Sequence, residues 1–464
     1  MALALVVFAP IGLMLGVLAL PELLRKLRAI KPRLHWWHAL WLLLYLSTLV
    51  WRVRDQGAVQ QQPLDAWAML RIIPEFYIFL WLTIRFLKRE TLVRWAKVLF
   101  QGIPRWLTVY ALVCIASTFW SVFPAWTLFK SLEYMLDVIV LAAILSHVTG
   151  LEDYESLFRW TWALFGVELL WVWMQIPLWP GDSIEDGRLK GVIPATAYNY
   201  VGQSGAFVAV LALCRLFPVR GHRRDHVPFA IVLFVFASLS LVLSQTRNAI
   251  AGFAFAVAVV LILTKRKWML IVGGLAGGLA WFLTPLGDIV MTYLKREQSS
   301  DAVDSLTGRM ELWSYAWQEF LKQPVRGMGA YAAGRFLIMY KLGLDRATLH
   351  SDWVEVMVGV GLAGLIPFIL ALLCTWWYLL RSANDPTLSA AHRQTVVEAV
   401  GVLGVITVHS FFNDELAWHA PLLLLVILGW AELLRRRRKQ AATVRVPVRL
   451  VSMNPIRPPV YSGD

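Results

Sequence analysis

The chain has 464 residues, 58% of them hydrophobic and 16% charged, against roughly 25% charge in an average soluble domain. Apolar runs near the ~20 residues that a helix needs to cross hydrocarbon recur along almost its whole length, which excludes a soluble globular protein. A membrane barrel is excluded as well, because barrel strands are short and alternate in polarity. The expected fold is therefore an all-α polytopic membrane protein.

In chain order the apolar stretches fall near 2–20, 36–51, 67–87, 104–121, 127–148, 158–178, 197–217, 228–245, 248–264, 268–286, 353–379, 396–413 and 417–434, about thirteen spans if each crosses once. The first lacks a basic leader and a small-residue cleavage site, so it is expected to stay as a span. The net charge of +14 is distributed between spans and does not read as a nucleic-acid patch. It sits at Arg25–Arg33, Lys88–Lys97, Arg220–Arg224, Lys265–Lys267 and Arg435–Lys439, the pattern of positive-inside anchors. With the Arg435–Lys439 run in the cytoplasm, counting back puts every one of these clusters on that side. The N-terminus and the polar insertion 288–352 fall on the other, periplasmic or extracellular, side. The divisions are then 1–287, a first bundle; 288–352, the outer loop; 353–434, closing spans; and 435–464, a basic tail, expected to be disordered after Gln440. Twenty-four tryptophans suit many interface crossings. Cys114, Cys214 and Cys374 each lie in an apolar run without ligand spacing.

The insertion is where chemistry is expected. Thr307 is placed to cap a helix running to about Lys322, with Met310, Trp313, Trp317, Phe320 and Leu321 on one apolar stripe. Such a helix lies on the membrane surface or packs on the bundle. Arg309 in its first turn suits an oxyanion or phosphate, or simply pairs with Glu311 or Glu319. Arg247 stands between two spans with almost no loop, an expensive place for a guanidinium unless it is paired or faces a polar cavity. Arg188 lies in an outer loop with Asp182, Glu185 and Asp186 as neighbours, and Asn199 enters the next span early. Arg52 and Arg54 read as snorkelling side chains. His350 sits at the water–lipid boundary, where an imidazole can exchange a proton. Asp352 and Glu355 behind it have the spacing of a capping box. No nucleotide-binding loop, zinc-protease or hydrolase motif is present, and only Asp301 and Asp304 hint, loosely, at metal spacing. No metal or cofactor is expected, which leaves the arginines to supply positive charge.

Taken together these motifs resemble the bacterial O-antigen ligase and O-antigen polymerase superfamily, which includes exopolysaccharide polymerases. The residues that carry the resemblance are Ser244-Gln-Thr-Arg247; Thr307-Gly308-Arg309 with Trp313, Pro324, Gly327 and Gly329; and His350 with Glu355, Gly361 and Gly364. Upstream, Arg188…Gly191, Asn199…Gly202 and the run FWSVFPAWTLFKSLEY join them. Ser351 and Val354 depart from the family's asparagine and leucine. The likeness covers roughly 105–415.

The resemblance implies a C-type glycosyltransferase-like bundle acting on a glycan linked to undecaprenyl diphosphate. It implies that Arg247, Arg309 and Arg188, with Asn199 and Glu355, bind the donor, and that His350 assists attack by an acceptor hydroxyl, with inversion and no metal. The acceptor would be a growing glycan, the favoured polymerase reading, or lipid A–core, the ligase reading; a protein side chain is a further acceptor. A chain-length regulator is a conceivable partner. A transporter or flippase of an anionic lipid is the competing class. It predicts functional charge deep in the spans, whereas the charges above gather at the outer boundary.

Overall fold

The computed structural model describes residues 2–30, 34–52, 65–224, 226–295, 309–344 and 348–444. Arg54, Asp301, Asp304, Thr307, Gly308 and the tail after Val444 lie outside them. In hydrocarbon a backbone amide finds its partner inside its own helix or not at all, and the apolar runs are helical accordingly. They are α1 (Ala2–Ile30), α2 (Trp36–Thr48), α3 (Ala66–Phe86), α4 (Arg89–Leu99), α5 (Pro104–Ala116), α6 (Pro124–His147), α7 (Leu151–Leu178), α8 (Tyr198–Leu216), α9 (Val227–Ser244), α10 (Arg247–Leu263), α11 (Lys267–Leu283), α12 (Leu286–Lys295), α13 (Arg309–Lys322), α14 (Asp352–Ala383), α15 (Ala390–Ser410) and α16 (Leu422–Val444). A two-residue hairpin, β1 (Ile184–Glu185) with β2 (Arg188–Leu189), pairs Glu185 with Arg188.

The molecule is an all-α, multi-pass membrane protein. Among the described residues α3, α7, α9 and α14 are each long and apolar enough to cross a membrane alone, and α4 and α5 form a pair bent by 97°. Helix α15 is buried on nearly all sides, held by α8, α10, α14 and α16. A helix with no polar face belongs in such a place. Helix α11, with no buried residue, lies at the edge.

Four of the five basic clusters meet at one end. Arg435 and Arg436 grip Glu432, Arg438 reaches Asp385 at 2.8 Å, Arg393 donates to the Arg220 carbonyl and Arg266 to the Phe217 carbonyl. Arg25 meets the His226 ring. The remainder of the insertion gathers at the opposite end, called here the insertion end.

That end is built on a break. Within α14 Gly361 adopts φ 59° and ψ −159°, backbone that only glycine tolerates. The opened turn takes its hydrogen bonds from the segment after α13. Leu362 and Ala363 amides donate to the Pro324 and Val325 carbonyls, while Met328 and Gly329 amides donate to Val358 and Gly359. A Cβ on Gly327, itself at φ 66°, would come within 2.5 Å of Gly359. The other side of this segment rests on the start of α6. Ala330 donates to Ser117 Oγ, Thr127 Oγ1 donates to the Ala330 carbonyl, and the Trp120 indole donates to the Arg326 carbonyl.

Helix α13 packs differently from its expected stripe. Leu312, Ala316 and Phe320 are buried against the bundle, while Met310, Trp317 and Leu321 are about half exposed. The inward face is set by what it packs on: Leu312, Ala316 and Phe320 cluster with Ile338, Leu349 and Val358. The result is a helix with one apolar stripe inward and a second outward.

Candidate active site

Two groups of predicted residues form at the insertion end. The first surrounds the Ser244–Arg247 turn. Arg188, presented by β2, donates through Nε to the Ser244 carbonyl at 3.1 Å and lies over the Tyr198 ring. Gln245 Nε2 donates to the Gly187 carbonyl and Thr246 Oγ1 to the Tyr198 carbonyl. The turn therefore locks the hairpin to the first turn of α8, which carries Asn199, and starts α10 at Arg247. Arg247 is partly buried without a side-chain cap from Thr246.

The second group surrounds residues 349–355 and 411–417. Arg309 Nη1 donates to the Phe412 carbonyl at 2.7 Å, and Trp313 to the Leu349 carbonyl. Its expected alternative partner Glu319 is held instead by Lys322 and Lys341, at 2.7 and 3.2 Å, whose hydrogen bonds outweigh the cost of burial and lower its pKa. His350 is partly buried and sits at φ 56°, a left-handed conformation rare outside glycine and asparagine.

The Asp352–Glu355 capping box does not form. Ser351 is the N-cap, without a side-chain bond. The Asp352 carboxylate reaches away from its own helix and accepts the amides of Glu415, Leu416 and Ala417 at 2.9–3.1 Å. Glu355 reaches back past the cap to the Leu349 amide at 2.7 Å. Both acids are buried, and each fixes backbone on a side of His350. A tertiary acceptor of three amides outcompetes a local cap that satisfies one.

The two groups are neighbours: Tyr200, two residues after Tyr198, lies within electrostatic reach of Glu415, Asp414 and Asp352. Asp414 faces Arg309. Burial pushes its carboxyl up to about 6, while the Thr348 hydroxyl, the Ser351 backbone and Arg309 pull it down. His409 is buried, with Nδ1 at 2.7 Å from Glu415.

Sequence reasoning missed a set of charges under this surface. His419 stands 3.2 Å from both Glu75 of α3 and Asp137 of α6 and meets Ser47 of α2 at 2.9 Å. The Ala420 amide donates to Asp137, and a buried pair joins Lys130 to Glu133. Charge is thus not confined to the outer boundary, because α6 carries Asp137 past its midpoint. The signal was available: ionisable residues inside apolar runs are expensive and need partners. These contacts clamp the 411–420 segment that supplies Phe412 to Arg309 and amides to Asp352.

Backbone strain also concentrates here. Seven non-glycine residues have positive φ among those described, and Asp186, Gln245, Tyr331, His350 and Ala420 belong to the segments just described. Strained backbone persists where surrounding contacts over-determine it, as at functional sites.

Residues 232–369 match the family model described as O-antigen ligase. No curated protein matches the chain. The matched segment contains Arg247, Arg309, His350 and Glu355.

Proposed function

We propose, from the premise that the chain belongs to the O-antigen ligase and polymerase superfamily, that it transfers a glycan from undecaprenyl diphosphate to an acceptor hydroxyl, and that it polymerises repeat units. The reaction would take place at the periplasmic face of the inner membrane. The observation that carries this reading is the gathering of arginines 188, 247 and 309 with His350 at one end, on backbone that buried acids hold in place.

In this reading Arg247 and Arg309 bind the diphosphate, a role suited to the forked guanidinium, and Arg188 supports them from the hairpin. Asn199, at the start of α8, faces the glycan. His350 takes the proton from the acceptor hydroxyl as that oxygen bonds to the anomeric carbon. The bond from that carbon to the phosphate oxygen breaks, and undecaprenyl diphosphate leaves with the electron pair, stabilised by the arginines in place of a metal. Attack opposite the leaving group inverts the centre. Glu355 acts through Leu349 by setting the position of His350.

The test is the surface-glycan profile of a deletion strain complemented with wild type or His350→Ala. Accumulation of single lipid-linked repeat units, restored to a ladder by wild type alone, supports the polymerase. The family description itself favours a second reading, the ligase. That reading predicts long chains retained on the lipid carrier and absent from lipid A–core. An unchanged profile for every glycan sinks both.

A further inference from the structure

We infer that the basic end holds a second site, for an anionic phospholipid. A cavity of about 370 Å³ opens there between α1, α7, α8, α9 and α15, within the ~300–1,000 Å³ of small-molecule sites. Its lining changes character with depth. The residues nearest the helix ends are charged or titratable: Arg159 on α7, Arg215 on α8, and His222, Arg223 and His226 on the loop between α8 and α9. One to three turns further in, the wall is Leu20, Trp162, Leu170, Leu233 and Phe236.

The carboxylates in the lining are already engaged. Glu155 accepts from Arg159 at 2.7 Å and from the Thr395 hydroxyl at 3.0 Å. Glu398 faces Arg215 at 3.5 Å and accepts from Gln394 at 3.1 Å. The three guanidinium groups of the lining therefore exceed its two carboxylates by one, and Arg25, which also reaches the His226 ring, is itself paired with Glu22 at 2.7 Å.

A soluble phosphate compound would complement the extra charge at Arg223 and leave the apolar wall wet. A neutral lipid would fill the wall and leave that extra charge without its complement. A molecule lying along the helices, phosphate at the end and acyl chain toward mid-bundle, satisfies both. The slot has room at a defined point, since a Cβ on Gly166 would meet nothing within 4 Å.

The test is native mass spectrometry of the full chain in detergent, titrated with phosphatidylglycerol, phosphatidylcholine, glycerol phosphate and inorganic phosphate. The protein should retain one phosphatidylglycerol about tenfold more tightly than phosphatidylcholine, the worth of one charged hydrogen bond. Arg223→Ala, at an exposed position, should weaken retention by about tenfold. Gly166→Leu fills the slot, touches no charge and improves helix propensity; it should weaken retention at least as much with no loss of thermal stability. Equal retention of the two lipids, full retention by Gly166→Leu, or displacement by glycerol phosphate or inorganic phosphate at equal concentration would each overturn the inference.

Discussion

The two ends of the bundle weight their charge differently. At the basic end arginines pair with carboxylates, Arg435 and Arg436 on Glu432, Arg438 on Asp385 and Arg159 on Glu155, and a second set, Arg393 on Arg220 and Arg266 on Phe217, holds carbonyls. At the insertion end the side chains around the site hold backbone: Arg188 on Ser244, Arg309 on Phe412, Asp352 on three amides, Glu355 on Leu349. Ion pairs neutralise and tolerate movement. Bonds from charge to backbone fix where the chain runs, and that is what a site requires.

The contrast breaks most visibly at the arginines. Under the proposed chemistry Arg309→Ala or Arg247→Ala should lower glycan transfer by about 10²–10³ or more, with expression and membrane insertion unchanged; in vitro transfer from a lipid-linked donor measures it. Arg309→Lys, which keeps the charge and loses the fork, should recover only part of it. Normal transfer by either alanine variant would remove the diphosphate role.

Next in size is Asp352→Ala. It leaves three buried amides without their acceptor and should cost about 3 kcal/mol or more, read as a lowered unfolding midpoint in detergent. Asp352→Asn, which accepts but carries no charge, should fall between. An unchanged midpoint would mean that the 411–417 loop holds itself.

A smaller effect is expected from pH. Asp414 titrates near 6 beside Arg309. Because the folded-state value is raised, the stability this carboxyl contributes is full below its ordinary 3.8 and is lost as pH rises through about 6. Above that pH its charge also opposes an anionic donor. The donor KM should rise by less than about tenfold through pH 6, and Asp414→Asn should flatten that rise. A wild-type profile retained in the variant assigns the titration elsewhere.

Smallest is the control at the other end. Arg438→Ala removes a part-exposed pair with Asp385 and should change stability by no more than about 1 kcal/mol and transfer not at all. A large loss there would erase the distinction between the ends.

The fold was legible because hydrocarbon leaves the backbone no alternative to helix: each apolar range contains one. The candidate residues were legible as types out of place, an arginine between spans or a histidine at a boundary. What local pattern concealed was tertiary. Asp352 and Glu355 have capping spacing, yet their partners lie elsewhere, the amides of 415–417 being more than sixty positions away and within a different loop. The inward stripe of α13 is likewise set by residues outside the helix, Ile338, Leu349 and Val358 among them. Glu75, Asp137 and His419 were passed over because each, taken singly, looks like a lone polar residue within an apolar run.

The break at Gly361 carries a consequence for biogenesis. A nascent α14, thirty-two residues long and containing a stretch apolar enough to span the bilayer, can enter it as a helix. Its opened turn takes its hydrogen bonds from Pro324–Gly329, so the finished bend requires that preceding loop to be docked. Entry of this helix into the bilayer and its bending are thus separable events, the second resting on contacts that the helix cannot make by itself.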